Sequence, residues 1–148
     1  MAQLFTTFNF KVLLHLPNQK DLCEAAFSEC SGLEMNMAPK TIREGGNNGR
    51  QIHLAGPVSF GQLSLKRGMT SSFDLWEWFD KVQQQRNLRA SGEIHLLSPS
   101  REKTVIFKLS GCLPVKLRAP TLSAKDGQIA IEEMQIAYEH LRILKPNR

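Results

Sequence analysis

One stretch, residues 63–82, constrains the fold more than any other, because it predicts a strand, a turn and a helix in succession. Leu63 and Leu65 alternate with polar residues, which is the two-residue period of a half-buried strand. Gly68 breaks that period. Apolar residues then recur at helical spacing and predict one buried stripe; they are Leu75, Trp78, Phe79 and Val82.

The predicted helix has recognisable start signals. Ser71 and Ser72 can each accept a capping hydrogen bond, and Asp74 lies in the first turn, where the helix dipole favours a negative charge. Both tryptophans of the chain lie in this helix, and each can bury about 150–250 Å². We therefore expect four helical residues to anchor the core: Leu75, Trp76, Trp78 and Phe79.

Length and composition indicate one domain that spans residues 1–148. A chain of this size can bury an ordinary core, and its 41% hydrophobic and 22% charged residues are typical of globular proteins. No apolar run approaches the roughly 20 residues that cross a bilayer, and we expect no secretory signal. The net charge is +5, but the basic residues are scattered, which argues against a nucleic-acid interface.

Alternating apolar residues predict further antiparallel strands. The clearest are residues 8–16 and a hairpin formed by residues 93–97 and 104–110. We expect that hairpin to bend at Gly111 and to continue along a sheet edge, where Pro114 is tolerated. A bulge is expected at Gly32, where another alternating pattern is interrupted.

Two segments have patterns that fit either a helix or a strand. Residues 22–30 fit either a short helical turn or a strand. Residues 129–144 carry a helical stripe, and a strand there requires a bulge near Glu132 and Glu133. The local pattern favours the helix slightly for this second segment.

Residues 41–57 are the least core-like part of the chain, and we expect them to form a long loop. Three glycines and two asparagines lie between Gly45 and Gly49 and allow positive φ angles. Loops of about 15 residues are uncommon in compact domains and are usually functional or disordered. The glycines lack the spacing of a phosphate-binding loop, so we interpret the segment as an interaction arm.

No residue pattern predicts a catalytic, cofactor-binding or metal site. The four histidines stand apart from one another without metal-ligand spacing; they are His15, His53, His95 and His140. No nucleophile-elbow motif is present. The three cysteines, Cys23, Cys30 and Cys112, lack CxxC spacing. We expect the cysteines to be reduced, buried thiols, with a Cys23–Cys30 disulfide as the lesser alternative. Since no catalytic pattern is present, we expect a protein that is not an enzyme.

Short motifs are distributed along almost the whole chain. They read FNFKV near the N-terminus, FSECSGLE at 27–34, REGGNNG at 43–49, LKRGMT at 65–70 and LWEW at 75–78. Residues 112–116 follow an x-x-P-x-K pattern, and residues 130–141 an A-I-E…E-x-L pattern. In this order the motifs resemble the tail tube protein family of contractile-tailed phages and phage-like contractile injection systems. Residues 53–61 depart from the family's pattern.

The resemblance implies a mainly β (α+β) fold, in which two packed antiparallel sheets form a barrel-like β-sandwich with one flanking helix. It implies strand, not helix, for residues 129–144. It also implies a structural role: hexameric rings stack into a hollow tube inside a contractile sheath, and the tube is driven through a target membrane to conduct cargo. A tube initiator or adaptor ring at the baseplate or cap, and an Hcp-like secreted ring of type VI secretion, are the alternatives.

The partners implied are further copies of the chain, the sheath protein, baseplate, spike and initiator proteins, and an effector or genome in the lumen. Sequence-specific nucleic-acid binding is not expected. The particle would assemble in the cytoplasm and could be released extracellularly.

The resemblance and the charged turns together suggest which residues contact neighbouring subunits. The expected contacts are Arg43, Glu44, Gly45, Gly46, Asn47, Asn48, Gly49, Lys66 and Arg67. The simpler alternative is that these charges are solvated and contribute under about 1 kcal/mol each. The channel wall would include Asn9, Lys11 and His15.

Overall fold

The computed structural model describes residues 10–17, 21–25, 27–43, 50–99, 104–125 and 127–144, which form antiparallel strands and one helix. The strands are β1 (Phe10–His15), β2 (Asp21–Ala25), β3 (Glu29–Ser31), β4 (Met35–Met37), β5 (Lys40–Arg43), β6 (Gln51–Leu54), β7 (Val58–Phe60), β8 (Gln62–Gly68), β9 (Ala90–Leu97), β10 (Thr104–Arg118), β11 (Ile131–Ala137) and β12 (His140–Leu144). The helix α1 is Asp74–Gln84.

Eight strands form one continuous sheet in the order β2-β1-β9-β10-β11-β8-β3, with β12 also paired to β10. The 15-residue β10 pairs with β9 and β12 through its first half and with β11 through its second half. Side chains from both halves of the sheet form one core. The mainly β fold with one helix is confirmed, but the two expected sheets are halves of one sheet. Over the described residues this sheet ends at β2 and β3 and does not close.

The bend predicted in β10 is present. Gly111 has a φ of +64°, and the pairing with β9 shifts between Leu109 and Cys112. Beyond Cys112, the described pairing of β10 is with β11 alone, so Pro114 lies where one side of the strand has no described strand neighbour. This is the position in which a missing backbone N–H is tolerated.

The buried faces of β1 and α1 are those predicted. Val12 and Leu14 are fully buried, and Leu16 follows them into the core, whereas Phe8 lies outside the described residues. In α1, Leu75 and Trp78 are buried, and the core also packs against the partly buried Phe79 and Val82.

The predicted serine caps of α1 are wrong. The N-cap residue is Phe73, which makes no side-chain capping bond, and Ser71 and Ser72 precede it in the approach to the helix. Asp74 and Glu77 do lie in the first turn, as the helix dipole favours. The helix has 11 residues, and within the described ranges no helix is long and apolar enough to cross a membrane.

The two ambiguous segments are strands. Residues 22–30 contribute to β2 and β3, and residues 129–144 contain β11 and β12. The pairing of β11 with β8 is regular from Ile131 to Ala137, so the expected bulge near Glu132 is absent. Instead Glu132 itself takes an inward position, in line with the buried Met134 and Ile136, and Ile131 points outward.

The segment expected to be a long loop contains paired strands. β5 pairs with β6, and the preceding β4 pairs with β7, so residues 35–43 and 51–60 form an antiparallel ribbon, here called the arm. The two halves of the arm approach each other closely at Gly56, where an added Cβ would lie 1.8 Å from the carbonyl oxygen of Ala38. Residues 44–49, which connect β5 to β6, lie outside the described residues.

Candidate assembly surface

The arm exposes apolar side chains that its own protomer does not cover. Met35, Met37 and Val58 are 61%, 51% and 47% exposed, and Ile42 and Leu54 are 48% and 44% exposed. Several exposed large apolar side chains on a two-stranded ribbon are typical of an interaction surface, since such a ribbon is marginally stable alone. The geometry therefore favours a partner that covers the arm.

The base of the arm is fixed to the main sheet by Tyr138, which is buried. Its hydroxyl donates to the carbonyl oxygen of Gly32 at 2.7 Å and accepts from the backbone N–H of Glu34 at 3.1 Å. The Phe60 ring packs against the Tyr138 ring at a centroid distance of 5.7 Å. The arm thus leaves the domain from a defined anchor point.

The expected contact residues fall in three different environments. Arg43 is exposed at the end of β5, opposite Gln51, and the six residues after it lie outside the described residues: Glu44, Gly45, Gly46, Asn47, Asn48 and Gly49. Lys66 is half-buried on β8 and forms an ion pair of 3.5 Å with Glu29 on the neighbouring β3.

Arg67 lies in a strand and is buried, not in an exposed turn as the sequence suggested. Its Nε donates to the Glu132 carboxylate at 2.6 Å, and its guanidinium also pairs with Asp74 at the start of α1. The guanidinium carbon lies 5.3 Å from the centre of the Phe27 ring. These contacts direct Arg67 into its own protomer.

Glu132 completes this buried group, because its second carboxylate oxygen accepts a hydrogen bond of 2.8 Å from the Trp76 indole. One carboxylate therefore joins β11, β8 and α1 through Arg67 and Trp76. Trp76 is partly buried and joins α1 to the sheet through this polar contact, outside the hydrophobic core of buried residues. The signal missed in the sequence is the alternation Leu63, Leu65, Arg67, which puts the arginine on the buried face.

A second surface is formed by the side of β1, β9, β10 and β12 that faces away from the core, here called the open face. Lys11 is exposed on this face, and His15 is one-third exposed; Asn9 lies outside the described residues. The Glu93 carboxylate lies 3.6 Å from His95 and 4.0 Å from His15. No group of three potential metal-ligating side chains occurs within the described ranges.

The described cysteines are unreactive in character. Cys30 and Cys112 are both free thiols, so the alternative Cys23–Cys30 disulfide is wrong; the side chain of Cys23 lies outside the described residues. Burial raises the pKa of the Cys30 thiol to about 12. Burial, with the nearby negative charge of Glu139, raises the pKa of Cys112 to about 12. Both thiols remain protonated at neutral pH.

With this geometry established, comparison with known proteins assigns the chain to a family. Residues 6–142 match the T4-like virus tail tube protein gp19 family. The chain belongs to that family. No curated protein sequence matches the chain.

Several solved structures share the tail tube fold. A chain in the cryo-EM structure of the anti-feeding prophage baseplate is 29% identical, with a TM-score of 0.86 over 98% of both chains. A chain of the sheath-tube complex of the extracellular contractile injection system PVC is 17% identical, with a TM-score of 0.77 over 95% of this chain and 91% of that one. An Hcp protein is 8% identical, with a TM-score of 0.58 over 92% and 98%.

Proposed function

We propose that this tail tube family member is a structural subunit of the inner tube of a contractile injection system or phage tail. Six copies form a ring, rings stack into a hollow tube, and a contractile sheath surrounds it. The observation that carries this proposal is the arm, whose exposed apolar residues need a cover that the protomer lacks. A neighbouring subunit in the ring or in the next ring supplies that cover and also pairs free strand edges.

In this arrangement the open face lines the channel, and baseplate, spike and initiator proteins start the tube. An effector or a genome passes through the lumen, and the target membrane is crossed only by the assembled tube. Arg43, the six residues that follow it and Lys66 contribute contacts between subunits. Assembly takes place in the cytoplasm, in a particle that can be released. The role is mechanical and needs neither catalysis nor a cofactor.

Electron microscopy of the purified chain tests the proposal. We expect six-fold rings or tubes, alone or beside the sheath protein. Deleting residues 45–49 should leave a folded protomer with reduced stacking. A chain that remains monomeric at high concentration, also in the presence of its sheath protein, would refute the proposal.

One observation favours a second candidate, a tube initiator or adaptor ring. The similar chain from the anti-feeding prophage baseplate is 29% identical, compared with 17% for the PVC sheath-tube chain. Copy number separates the two roles. A main tube subunit is present in purified particles in numbers comparable to the sheath protein, whereas an initiator is present as a single ring.

A further inference from the structure

A groove lies along one side of α1, between the helix and the end of β10. It has a cavity volume of about 510 Å³, and its lining is mostly apolar. The lining residues are Trp76, Glu77, Phe79, Asp80, Gln83 and Leu117. A depression of this size can accommodate several side chains of a partner.

The apolar part of this groove, here called the α1 groove, consists of two aromatic rings of the helix and Leu117. Leu117 lies directly opposite the buried Met134, so it faces the helix side of the sheet. Its basic neighbours in the strand, Lys116 and Arg118, take the opposite face. No basic side chain of the described residues lines the groove.

The charged residues that line the α1 groove are both acidic. Glu77 and Asp80 are exposed, and over the described residues neither carboxylate forms an ion pair. The chain as a whole has a net charge of +5. An apolar groove with an acidic rim therefore fits an apolar partner surface that carries positive charge.

The outer part of the arm, β5 with β6, has this complementary character. Ile42 lies opposite Ile52. Lys40 lies opposite Leu54, two residues along, so all four positions share one face of the ribbon. Lys40 and the adjoining Arg43 are exposed, and within the described part of the chain neither forms an ion pair.

The arm and the α1 groove belong to opposite ends of β8. The arm joins the sheet beside the start of β8, where the backbone N–H of Gly61 donates to the carbonyl oxygen of Glu34. The helix follows the other end of β8, where Asp74 pairs with Arg67. Residues 35–43 span up to about 30 Å, at about 3.3 Å per residue. A contact between two such different surfaces of neighbouring copies repeats into rings or stacks.

We propose that the arm of one copy docks in the α1 groove of a second copy. This inference rests on the proposed function, because it names the surface that covers the arm in the assembly. The apolar face of β5 and β6 covers the two aromatic rings and Leu117, while the basic side chains of β5 approach Glu77 and Asp80. Opposite charges guide the association and fix its register, and burial of the apolar side chains stabilises it.

Charge reversal tests the contact, with sedimentation velocity and electron microscopy as measurements. The arm variant is Lys40→Glu/Arg43→Glu, and the groove variant is Glu77→Lys/Asp80→Lys. Each should raise the protein concentration at half-maximal assembly about tenfold or more, because like charges then meet across the contact. A variant with all four substitutions should assemble near the concentration of the wild type, which also shows that the altered chain folds.

An equal mixture of the arm variant and the groove variant gives a second test. The acidic arm of the first fits the basic groove of the second, and the unchanged arm of the second fits the unchanged groove of the first. Copies that alternate can therefore form every contact. The mixture should assemble at a concentration at which neither variant assembles alone.

Lys116→Glu/Lys125→Glu is the matched control, since it makes the same change in net charge as the arm variant at exposed positions outside the arm and the groove. It should assemble as the wild type does. Normal assembly of the arm variant or the groove variant would overturn the contact. An equal defect in the control, or no recovery in the mixture and the combined variant, would also overturn it.

The same measurements separate this inference from the tube proposal. Rings and tubes of the wild type, unaffected by the charge reversals, would leave the tube proposal standing and refute the arm contact. A wild type that forms neither would refute the tube proposal and the contact with it. Intact rings and tubes of the groove variant that no longer bind the sheath protein would assign the groove to the sheath and overturn the contact between copies.

Discussion

At the scale of single residues, the turn that precedes the arm depends on a glycine. Gly32 has a φ of +96°, and an added Cβ would lie 1.8 Å from the carbonyl oxygen of Gln62. A Gly32→Ala variant must therefore both adopt a strained backbone conformation and displace a strand. We expect it to lower the free energy of unfolding by about 2 kcal/mol or more, measured by urea titration.

Gly127→Ala is the control for this prediction, because an added Cβ at Gly127 meets no atom within 4 Å. Its unfolding free energy should stay within about 0.5 kcal/mol of the wild type. Equal stability of the two variants would show that the turn at Gly32 is not required.

The buried cysteines give a pH-dependent prediction. The Cys30 and Cys112 thiols ionise at about pH 12 in the folded chain, against an ordinary pKa of 9.0. The unfolded chain therefore releases these protons first, and stability should fall as the pH rises from 9 towards 12. Cys30→Ala/Cys112→Ala should flatten this part of the curve of unfolding free energy against pH. If the unfolding free energy of the variant fell as steeply between pH 9 and pH 12 as that of the wild type, the assignment to these two thiols would be contradicted.

The burial of single residues was predicted correctly where it was inferred from the spacing of apolar residues along a strand or helix. It was predicted wrongly where it was inferred from the charge of the side chain. Val12, Leu14, Leu75 and Trp78 are buried as their spacing predicted. Arg67 was assigned to an exposed turn because it is charged, although its alternation with Leu65 places it inside. A buried arginine becomes predictable only with its partner, and Glu132 is 65 residues away in sequence.

At the scale of elements, the buried group formed by Arg67, Glu132, Asp74 and Trp76 holds α1 against the sheet. Replacing Glu132 by leucine removes one carboxylate partner of the buried Arg67 and the acceptor of the Trp76 indole. Because an incompletely paired charge in the interior is costly, we expect a loss of about 3 kcal/mol in unfolding free energy. Urea unfolding measures the loss, and tryptophan emission reports the change around Trp76.

The control is Glu133→Leu, the same substitution at the next position, where the carboxylate faces the other way and bonds only to Ser64 at 3.2 Å in the described contacts. It should cost less than about 1 kcal/mol. The double variant Arg67→Met/Glu132→Leu should recover much of the loss, since apolar residues can replace a buried ion pair. No recovery would show that the arginine contributes independently of Glu132.

The last two strands show why some elements could not be predicted locally. The spacing of Ile131, Met134, Tyr138 and Leu141 fits a helical stripe. Tertiary pairing overrides it, because β11 fills the space between β8 and β10, and β12 extends the sheet from β10. Only the family resemblance selected strand here. The strands β5 and β6 of the arm, where we expected a loop, were missed for a related reason, since their apolar side chains lie outside the hydrophobic core.

At the scale of the whole molecule, the arm should determine association while contributing little to folding. Ile42 is 48% exposed on β5, so Ile42→Asp should leave the unfolding free energy of the protomer within about 0.5 kcal/mol. If a neighbouring subunit covers this side chain, burying a charge there weakens each subunit contact about tenfold or more. Sedimentation velocity and electron microscopy should show a smaller fraction of rings and tubes at equal protein concentration.

Leu122→Asp, at a side chain that is 88% exposed outside the arm, should assemble as the wild type does. Normal assembly of Ile42→Asp, or an equal defect in Leu122→Asp, would mean that the rings are held together by other surfaces.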